Sequence, residues 1–225
     1  METDRELVKK ILAGDQSAFV VLVETYQRPV YNLCYRMLGE AREAEDAAQE
    51  TFLRVYDRLG SFDASRSFKT WILSIANHHC IDRLRKRRMV WLDIEEEPLI
   101  GHPALREASA GPEDQAVKHE QRERVQELLA GLGPKDRSAI VMHYWYDLSY
   151  EEIASTTGTT VSAVKSRLHR ARAVMAEMLS PTGARQRIPA PTSSTWMGGR
   201  VSKGAGAAAS TRRWPSGSIP SFAYA

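Results

Sequence analysis

The sequence predicts an all-α fold, made of two small helical domains joined by a flexible linker and followed by a disordered C-terminal tail. Three observations lead to this prediction. Apolar residues recur at three- and four-residue spacing over most of residues 4–88 and 112–179, as they do along amphipathic helices. No segment shows a strand pattern. Between the two helical blocks the periodicity disappears, so the blocks are separate domains.

The composition divides the chain into four segments. Residues 1–88 form the first domain, 89–111 an acidic linker with prolines and glycines, 112–180 the second domain, and 181–225 the tail. The tail lacks an apolar period and is rich in Pro, Gly, Ser, Ala and Thr, which predicts disorder. It holds six basic residues and no acid, whereas the whole chain carries +3, so residues 1–180 carry about −3. The body of the protein is therefore not a generally basic nucleic-acid coat.

Other compositional features place the chain among reduced, cytoplasmic proteins. No apolar run approaches the roughly 20 residues that cross a bilayer, and the N-terminus does not resemble a signal peptide. We therefore expect no membrane insertion. Cys34 and Cys80 are too few for a disulfide scaffold or a zinc site. Neighbouring residues on a helix point in different directions, so His78, His79 and Cys80 cannot converge on one metal ion without other ligands.

Four helices are predicted in the first domain. Thr3 and Glu6 form a capping box at the start of the first, and Pro29 predicts a kink in the second. The first predicted helix ends at Gly14, and the other three span about residues 17–38, 42–59 and 68–88. The third has a polar outer face, which the pattern alone attributes to simple solvation. The fourth combines aromatic residues with a basic end that exceeds what capping requires, a combination suited to single-stranded nucleic acid.

The second domain ends in a predicted helix-turn-helix. Ser149 and Glu152 form a capping box, Gly158 suits the turn, and a second helix begins near Thr160. Val161, Val164, Leu168, Ala171 and Met175 form its inward stripe. An ordinary helical hairpin with a solvated charged face would look similar. However, the basic residues of the second helix have no acid among them before Glu177, which favours a helix that enters the DNA major groove.

Together these residues resemble the extracytoplasmic-function (ECF) sigma factors of the sigma-70 family. The run from Asp46 to Tyr56, DAAQETFLRVY, is similar to region 2.2. Phe68–Ile72 and Asp82–Arg85 are similar to regions 2.3 and 2.4. Leu148–Ala154 and Val164–Arg172 are similar to region 4.2. The resemblance covers about residues 5–180, with the motifs in the family's order.

The resemblance implies partners and site residues. It implies binding to core RNA polymerase, through the β′ clamp helices and the β subunit, and to promoter DNA, and it implies regulation by an anti-sigma factor. The implied polymerase-binding residues are Asp46, Gln49, Glu50 and Arg54. The implied −10 residues are Ser61, Phe62, Asp63, Arg66, Ser67, Lys69, Trp71, Asn77, Arg83, Arg85, Arg87 and Arg88. The implied −35 residues are Thr160, Ser162, Ala163, Lys165, Ser166, Arg167, His169 and Arg170.

Two further points bear on this interpretation. The family commonly has Gly-Thr where this chain has Ser162 and Ala163, so its preferred −35 sequence is expected to differ. A linker of about 23 residues reaches at most about 75–80 Å when extended. Promoter elements roughly 17 base pairs apart are separated by about 58 Å. The linker can therefore span both elements.

Two alternative functions account for less of the sequence. A stand-alone helix-turn-helix regulator would explain residues 149–175, but not the basic helix containing Trp71 or the two-domain layout. An enzyme is disfavoured because we find no metal-ligand spacing, nucleophile–base set or glycine-rich phosphate loop. We expect no catalytic residue, no cofactor and no homo-oligomer.

Overall fold

The computed structural model describes residues 3–93 and 112–180, with side chains for 3–87 and 120–180. These residues form helices and one 3-10 turn, without a strand, which confirms the all-α prediction. The helices are α1 (Asp4–Leu12), α2 (Gln16–Leu38), α3 (Ala41–Arg58), α4 (Phe68–Asp93), α5 (Pro112–Ala130), α6 (Pro134–Tyr146), α7 (Tyr150–Thr157) and α8 (Val161–Leu179). No helix in the described ranges is long and apolar enough to span a membrane.

Helix boundaries largely follow the predicted signals. The Thr3 backbone N–H donates to Glu6 Oε2 at 2.8 Å, as a capping box requires. Gly39 ends α2 with a φ of +84°, a conformation that only glycine adopts freely. α2 continues through Pro29 as one helix. α4 extends to Asp93, five residues beyond its predicted end. The rest of the predicted linker, 94–111, and the predicted tail, 181–225, lie outside the described residues.

Helices α1–α4 form the first domain. α2 packs against each of the other three, and α3 also packs against α4. Its core is formed by fully buried apolar side chains, among them Leu22, Leu33, Met37, Phe52 and Ile72. Burial of these side chains supplies most of the favourable free energy of folding.

Helices α5–α8 form the second domain. α6 and α7 pack against α8, and Leu129, Ile140, Ile153 and Leu168 meet in the core. Gly131 lies against Met178, and a Cβ at this position would require the end of the methionine side chain to shift.

The two domains also pack against each other, which the sequence analysis did not predict. α6 contacts both α2 and α4, and α7 contacts α4. Arg137 Nη1 donates to the Met37 carbonyl at 2.5 Å, and the Tyr146 hydroxyl donates to the Pro29 carbonyl at 2.5 Å. The buried apolar residues of both domains therefore form one continuous core.

Candidate nucleic-acid interface

α7 and α8 form the helix-turn-helix that the sequence predicts. Ser149 N–H donates to Glu152 Oε2 at 2.8 Å, and Glu152 N–H donates to Ser149 Oγ at 3.2 Å. Gly158 ends α7 with a φ of +59°. These two local features fix the length of α7 and the direction in which the chain enters α8.

α8 buries one stripe and presents another to solvent. Thr160 caps the helix by accepting from Ala163 N–H at 3.2 Å. Val164, Leu168 and Ala171 are buried. The predicted −35 residues lie on the accessible surface, with Ala163 and Arg167 half-buried and the remainder exposed: Thr160, Ser162, Lys165, Ser166, His169 and Arg170. An exposed helix face with several donors and no acid suits the acceptors of the major groove.

Arg170 is less free than its sequence neighbourhood indicates. Its Nη2 donates to Asp136 Oδ1 at 3.0 Å, and its Nε donates to Oδ2 at 3.4 Å. Asp136 lies on α6, so a scan for acids along α8 does not find it. The carboxylate balances the Arg170 charge, which leaves Lys165 and Arg167 as the stronger candidates for DNA contact.

One edge of α8 carries a cluster of basic residues and tyrosines that the sequence did not predict. Arg172 Nε donates to the Tyr144 hydroxyl at 2.9 Å, and Lys165 Nζ lies 6.0 Å from the centre of the Tyr150 ring. Hydrogen bonds to Tyr144 and Tyr150 raise the pKa of Arg172. The sequence signal was the pair of tyrosines flanking the α6–α7 turn. Tyr144 is exposed and Tyr150 half-buried, and with the adjacent cations they form a phosphate-compatible edge.

In the first domain, a 3-10 turn (Leu59–Ser61) and a short loop, residues 62–67, connect α3 to α4. Asp63 Oδ1 accepts from Ser65 N–H at 2.9 Å, and Ser67 Oγ accepts from Thr70 N–H at 3.4 Å. Both are local side-chain-to-backbone turns of the kind that Asp and Ser favour. The exposed members of the predicted −10 set here are Ser61, Asp63, Arg66, Ser67 and Lys69.

An aromatic cluster fixes the base of this loop. The ring centroids of Phe62 and Phe68 lie 5.2 Å apart, those of Phe62 and Trp71 also 5.2 Å, and those of Phe68 and Trp71 5.5 Å. Phe68 is buried, whereas Phe62 and Trp71 are half-buried and keep part of each ring accessible. The cluster therefore holds two partly exposed aromatic faces at fixed positions beside the loop.

Two open depressions flank this cluster. The first is lined by Phe62, Phe68, Arg66 and Ser67, together with the start of α1. The second is a groove lined by Trp71, Ser74 and His78, with Arg54 and Arg58 on its opposite wall. Aromatic rings combined with guanidinium groups are the chemistry by which proteins hold unpaired bases and their phosphates.

Asn77 differs in its placement from the exposed members of the predicted −10 set. The resemblance implied that it contacts the −10 element, but its side chain is fully buried. Neither its amide nitrogen nor its amide oxygen has a hydrogen-bond partner. The side chain therefore cannot touch DNA in this arrangement.

At the basic end of α4, only some of the arginines are available to contact phosphates. Arg85 is exposed, with Asp82 3.7 Å away, and Arg83 is half-buried. Arg87 is engaged within the fold, because it pairs with Glu43 of α3 and donates to the Leu38 carbonyl. It is a weaker phosphate candidate than Arg83 or Arg85. The side chain of Arg88 lies outside the described residues.

The predicted polymerase-binding residues share the outer face of α3. Asp46 is exposed, and Gln49, Glu50 and Arg54 are half-buried. Arg54 Nε donates to Glu50 Oε1 at 2.8 Å. Ala47, Ala48 and Val55 are buried on the opposite side. The four residues thus form one polar surface, as their spacing predicts.

His78, His79 and Cys80 do not converge. His78 is exposed and its Nδ1 lies 2.7 Å from the Ser74 carbonyl oxygen. His79 is buried. Its pKa is lowered mainly by this burial and, to a smaller extent, by the positive charge of Arg54. Cys80 is hydrogen-bonded to Cys34, and this bond together with burial raises the pKa of the Cys34 thiol. Among the residues with described side chains, no group of three possible metal ligands comes together.

The fold and its surfaces define a two-domain helical protein with a helix-turn-helix, and comparison with known proteins identifies its family. Residues 22–89 match the family model Sigma-70 region 2, and residues 122–175 match Sigma-70, region 4. The ECF RNA polymerase sigma factor SigW of Bacillus subtilis is 38% identical over 179 residues, 78% of this chain and 96% of its own. The chain belongs to the ECF RNA polymerase sigma factors of the sigma-70 family, which confirms the resemblance.

A further relative and two solved structures are also similar to this chain. The RNA polymerase sigma-H factor of Pseudomonas aeruginosa is 34% identical over 80% of this chain and 95% of its own. The structure of CnrH in complex with the cytosolic domain of CnrY has a TM-score of 0.58 at 25% identity, covering 79% of this chain and 97% of CnrH. The sigma factor RpoE in complex with the anti-sigma factor NepR, from Bartonella quintana, has a TM-score of 0.57 at 24% identity, covering 72% and 96%. The last similarity concerns the fold alone.

Proposed function

We propose that this sigma factor binds core polymerase through α3, holds the −10 element with the loop at 61–67 and α4, and reads the −35 element with α8. The observation that carries the proposal is the placement of the family motifs. They lie on three separate accessible surfaces, one on α3, one around Trp71 and one on α8. A single-site DNA-binding protein has no need of the first two.

The polymerase contact is assigned to Asp46, Gln49, Glu50 and Arg54. These groups are partly accessible and include both charges, so they suit a polar docking surface on the β′ clamp helices. The second domain would contact the β subunit. The chemistry of transcription belongs to the polymerase, and the sigma factor contributes no catalytic group.

Strand opening is assigned to the aromatic cluster and its two depressions. A base inside a duplex cannot be gripped by its pairing edge, so it must leave the stack and enter a pocket. The depression beside Phe62 and Arg66 is a site for one extruded base, and Trp71 offers a ring for stacking in the adjacent groove. Arg83 and Arg85 would contact phosphates.

Duplex recognition is assigned to the outer face of α8, led by Lys165 and Arg167. Ser162 and Ala163 lie at the N-terminal end, where a recognition helix meets base edges. A hydroxymethyl and a methyl group there replace the glycine and threonine common in the family, so the preferred −35 sequence is expected to change.

An anti-sigma factor is the proposed regulator, and the cytoplasm the proposed location. Support comes from a structural neighbour, CnrH, whose structure is a complex with the cytosolic domain of CnrY. Loss of transcription on titration with the chain's own anti-sigma factor would test this part.

The experiment that tests the function is an electrophoretic mobility shift with three DNA probes: a duplex promoter, a promoter opened at −10, and a scrambled duplex. Each probe is incubated with the sigma factor alone, with core polymerase alone, and with both. We expect specific complexes only with both proteins, strongest on the opened probe. Tight, specific binding of the duplex by the isolated chain would instead support a stand-alone regulator.

A further inference from the structure

We propose that Asp4, at the start of α1, determines which base the −10 site accepts: its carboxylate accepts a hydrogen bond from an amino group of the extruded base, so the site rejects thymine. The proposal rests on the proposed function, because it requires that the depression beside Phe62 and Arg66 hold one base. No residue of α1 belongs to the predicted −10 set, so this helix has had no assigned role.

The start of α1 forms one wall of that depression. Thr3, Asp4 and Arg5 line it together with the loop at 62–67 and the first residue of α4. α1 is held in place by three buried apolar side chains, and it packs against α2 and the 3-10 turn. Its first turn is fixed by the capping box between Thr3 and Glu6. The lining side chains of α1 therefore project from a well-anchored backbone.

The carboxylate of Asp4 is attached to the aromatic cluster through Tyr26. Its Oδ2 accepts from the Tyr26 hydroxyl at 2.7 Å, and the Tyr26 ring lies 5.3 Å from the Phe68 ring in an edge-on contact. Burial, and then the bond to Asp4, raise the pKa of Tyr26, so the phenol keeps its proton and remains the donor. Asp4 is thus positioned by the same rings that form the base of the site.

Asp4 has hydrogen-bonding capacity beyond the bond from Tyr26. An ionised carboxylate only accepts hydrogen bonds and has about four lone-pair sites. Among the lining residues that the structure describes, Asp4 alone is acidic, and its side chain is half-buried. A carboxylate repels phosphates, so its favourable partners in nucleic acid are the amino groups of bases. Arg5 and Arg66 line the same depression and supply positive charge for the neighbouring phosphates.

The pairing edge of the base decides which bases suit this acceptor. Adenine, cytosine and guanine each carry an amino group, whereas thymine presents carbonyl oxygens on both sides of a single N–H. A carbonyl oxygen that faces a carboxylate leaves two acceptors without a donor, which a buried polar site penalises strongly. We therefore expect one −10 position at which thymine weakens binding about tenfold relative to the preferred base.

Base preference is measured with the holoenzyme, formed from core polymerase and the full-length chain, on promoter probes opened at −10. Each unpaired position carries each of the four bases in turn, and dissociation constants are determined by competition. At the position that rejects thymine, the preferred base is then replaced by its analogue without the amino group: purine for adenine, 2-pyrimidinone for cytosine or hypoxanthine for guanine. The analogue should weaken binding by the wild-type chain about tenfold.

Asp4→Asn should remove this discrimination. The amide oxygen can take the hydrogen bond from Tyr26, which leaves the amide nitrogen, a donor, for the base. Thymine should then bind as well as the other bases, and loss of the amino group from the base should cost the variant nothing. Tyr26→Phe, which releases Asp4 without removing its charge, should reduce the discrimination by a smaller factor.

Glu6→Gln is the matched control. It removes a carboxylate from the same helix, and glutamine also serves in a capping box, so the base preference should stay that of the wild-type chain.

Three results would overturn the proposal: no −10 position that disfavours thymine, wild-type discrimination in Asp4→Asn, or an equal loss of affinity for all four bases in that variant. The last result would assign Asp4 to helix stability alone, since an acid in the first turn also stabilises a helix. A holoenzyme that fails to bind the opened probe would instead overturn the proposed function. The two failures are therefore distinguishable.

Discussion

In the second domain the candidate DNA surface is the outer face of one helix, whereas in the first domain it is assembled from a loop, a helix and part of α3. α8 presents its polar residues above a buried stripe of Val164, Leu168 and Ala171. The first-domain surface depends on three aromatic rings packed together, with Arg54 and Arg58 supplied by another helix. Recognition of duplex DNA requires a helix that fits the major groove, whereas strand opening requires a pocket that holds an unpaired base.

The difference implies different sensitivities. Substitutions on α8 should change recognition with little effect on folding, because most of its outer side chains are exposed. Substitutions in the aromatic cluster should affect folding and strand opening together. The following predictions test that contrast, beginning with the largest expected effect.

Phe68→Ala should destabilise the first domain by about 3 to 5 kcal/mol, because it removes a buried ring from the core. Its ring contacts Tyr26 at 5.3 Å as well as Phe62 and Trp71. Urea unfolding of the full chain measures the change. Tyr144→Ala, at a 54% exposed ring, serves as the control and should cost far less. Equal losses for the two variants would contradict the account.

Trp71→Ala should reduce strand opening about tenfold, since one stacked base contributes about 1–3 kcal/mol. Binding of the closed duplex by the holoenzyme should change much less. Permanganate reactivity of −10 thymines measures opening, and His78→Ala provides a control in the same groove. Wild-type reactivity in the Trp71 variant would remove this ring from the proposed site.

Arg167→Ala should weaken −35-dependent initiation severalfold to tenfold, as expected for a lost base contact of about 1–3 kcal/mol. Arg170→Ala should have a smaller effect, because Asp136 already holds that guanidinium. Abortive initiation on promoters with and without the −35 element measures both variants. A larger effect at Arg170 than at Arg167 would reverse our ranking.

The smallest effect concerns pH. Burial lowers the pKa of His79 below its ordinary value of 6.5, so the unfolded chain takes up this proton more readily than the folded one. The free energy of unfolding should therefore fall as pH drops below about 6.5 toward the folded-state pKa. The pKa values of Asp15 and Asp63 are lowered below their ordinary value of 3.8, so these carboxyl groups do not titrate in this pH range. Urea unfolding at pH 7 and pH 5.5 measures it.

His79→Leu supplies the comparison for that measurement. It removes the titrating ring while keeping an apolar side chain at the position. The stability difference between the two pH values should shrink in the variant, and an undiminished difference would assign the dependence to other groups.

Sequence periodicity predicted most of what depends on a single helix. The capping boxes at Thr3 and Ser149, the left-handed glycines and the outward residues of α8 follow from neighbours within one or two turns. Contacts between distant segments were not predictable in this way. The Arg170–Asp136 pair joins residues 34 positions apart, and the Arg137–Met37 bond joins residues 100 positions apart.

Burial of Asn77 illustrates the same limit at a functional position. Its helical neighbours identify a stripe, but only the tertiary packing around α4 decides whether that stripe meets solvent. Because the stretch between the domains lacks periodicity, the sequence predicts two independent domains. The packing of the two domains instead depends on two side chains of α6 that donate to carbonyl groups of α2, and such bonds leave no signal in the composition.

The most direct test of the central claim is run-off transcription by core polymerase over a library of genomic promoters, with the full-length chain as the only sigma factor. We predict transcripts from discrete start sites that share −35 and −10 sequences, and loss of those transcripts when either sequence is scrambled. Core polymerase that starts at the same positions with and without the chain would contradict the account.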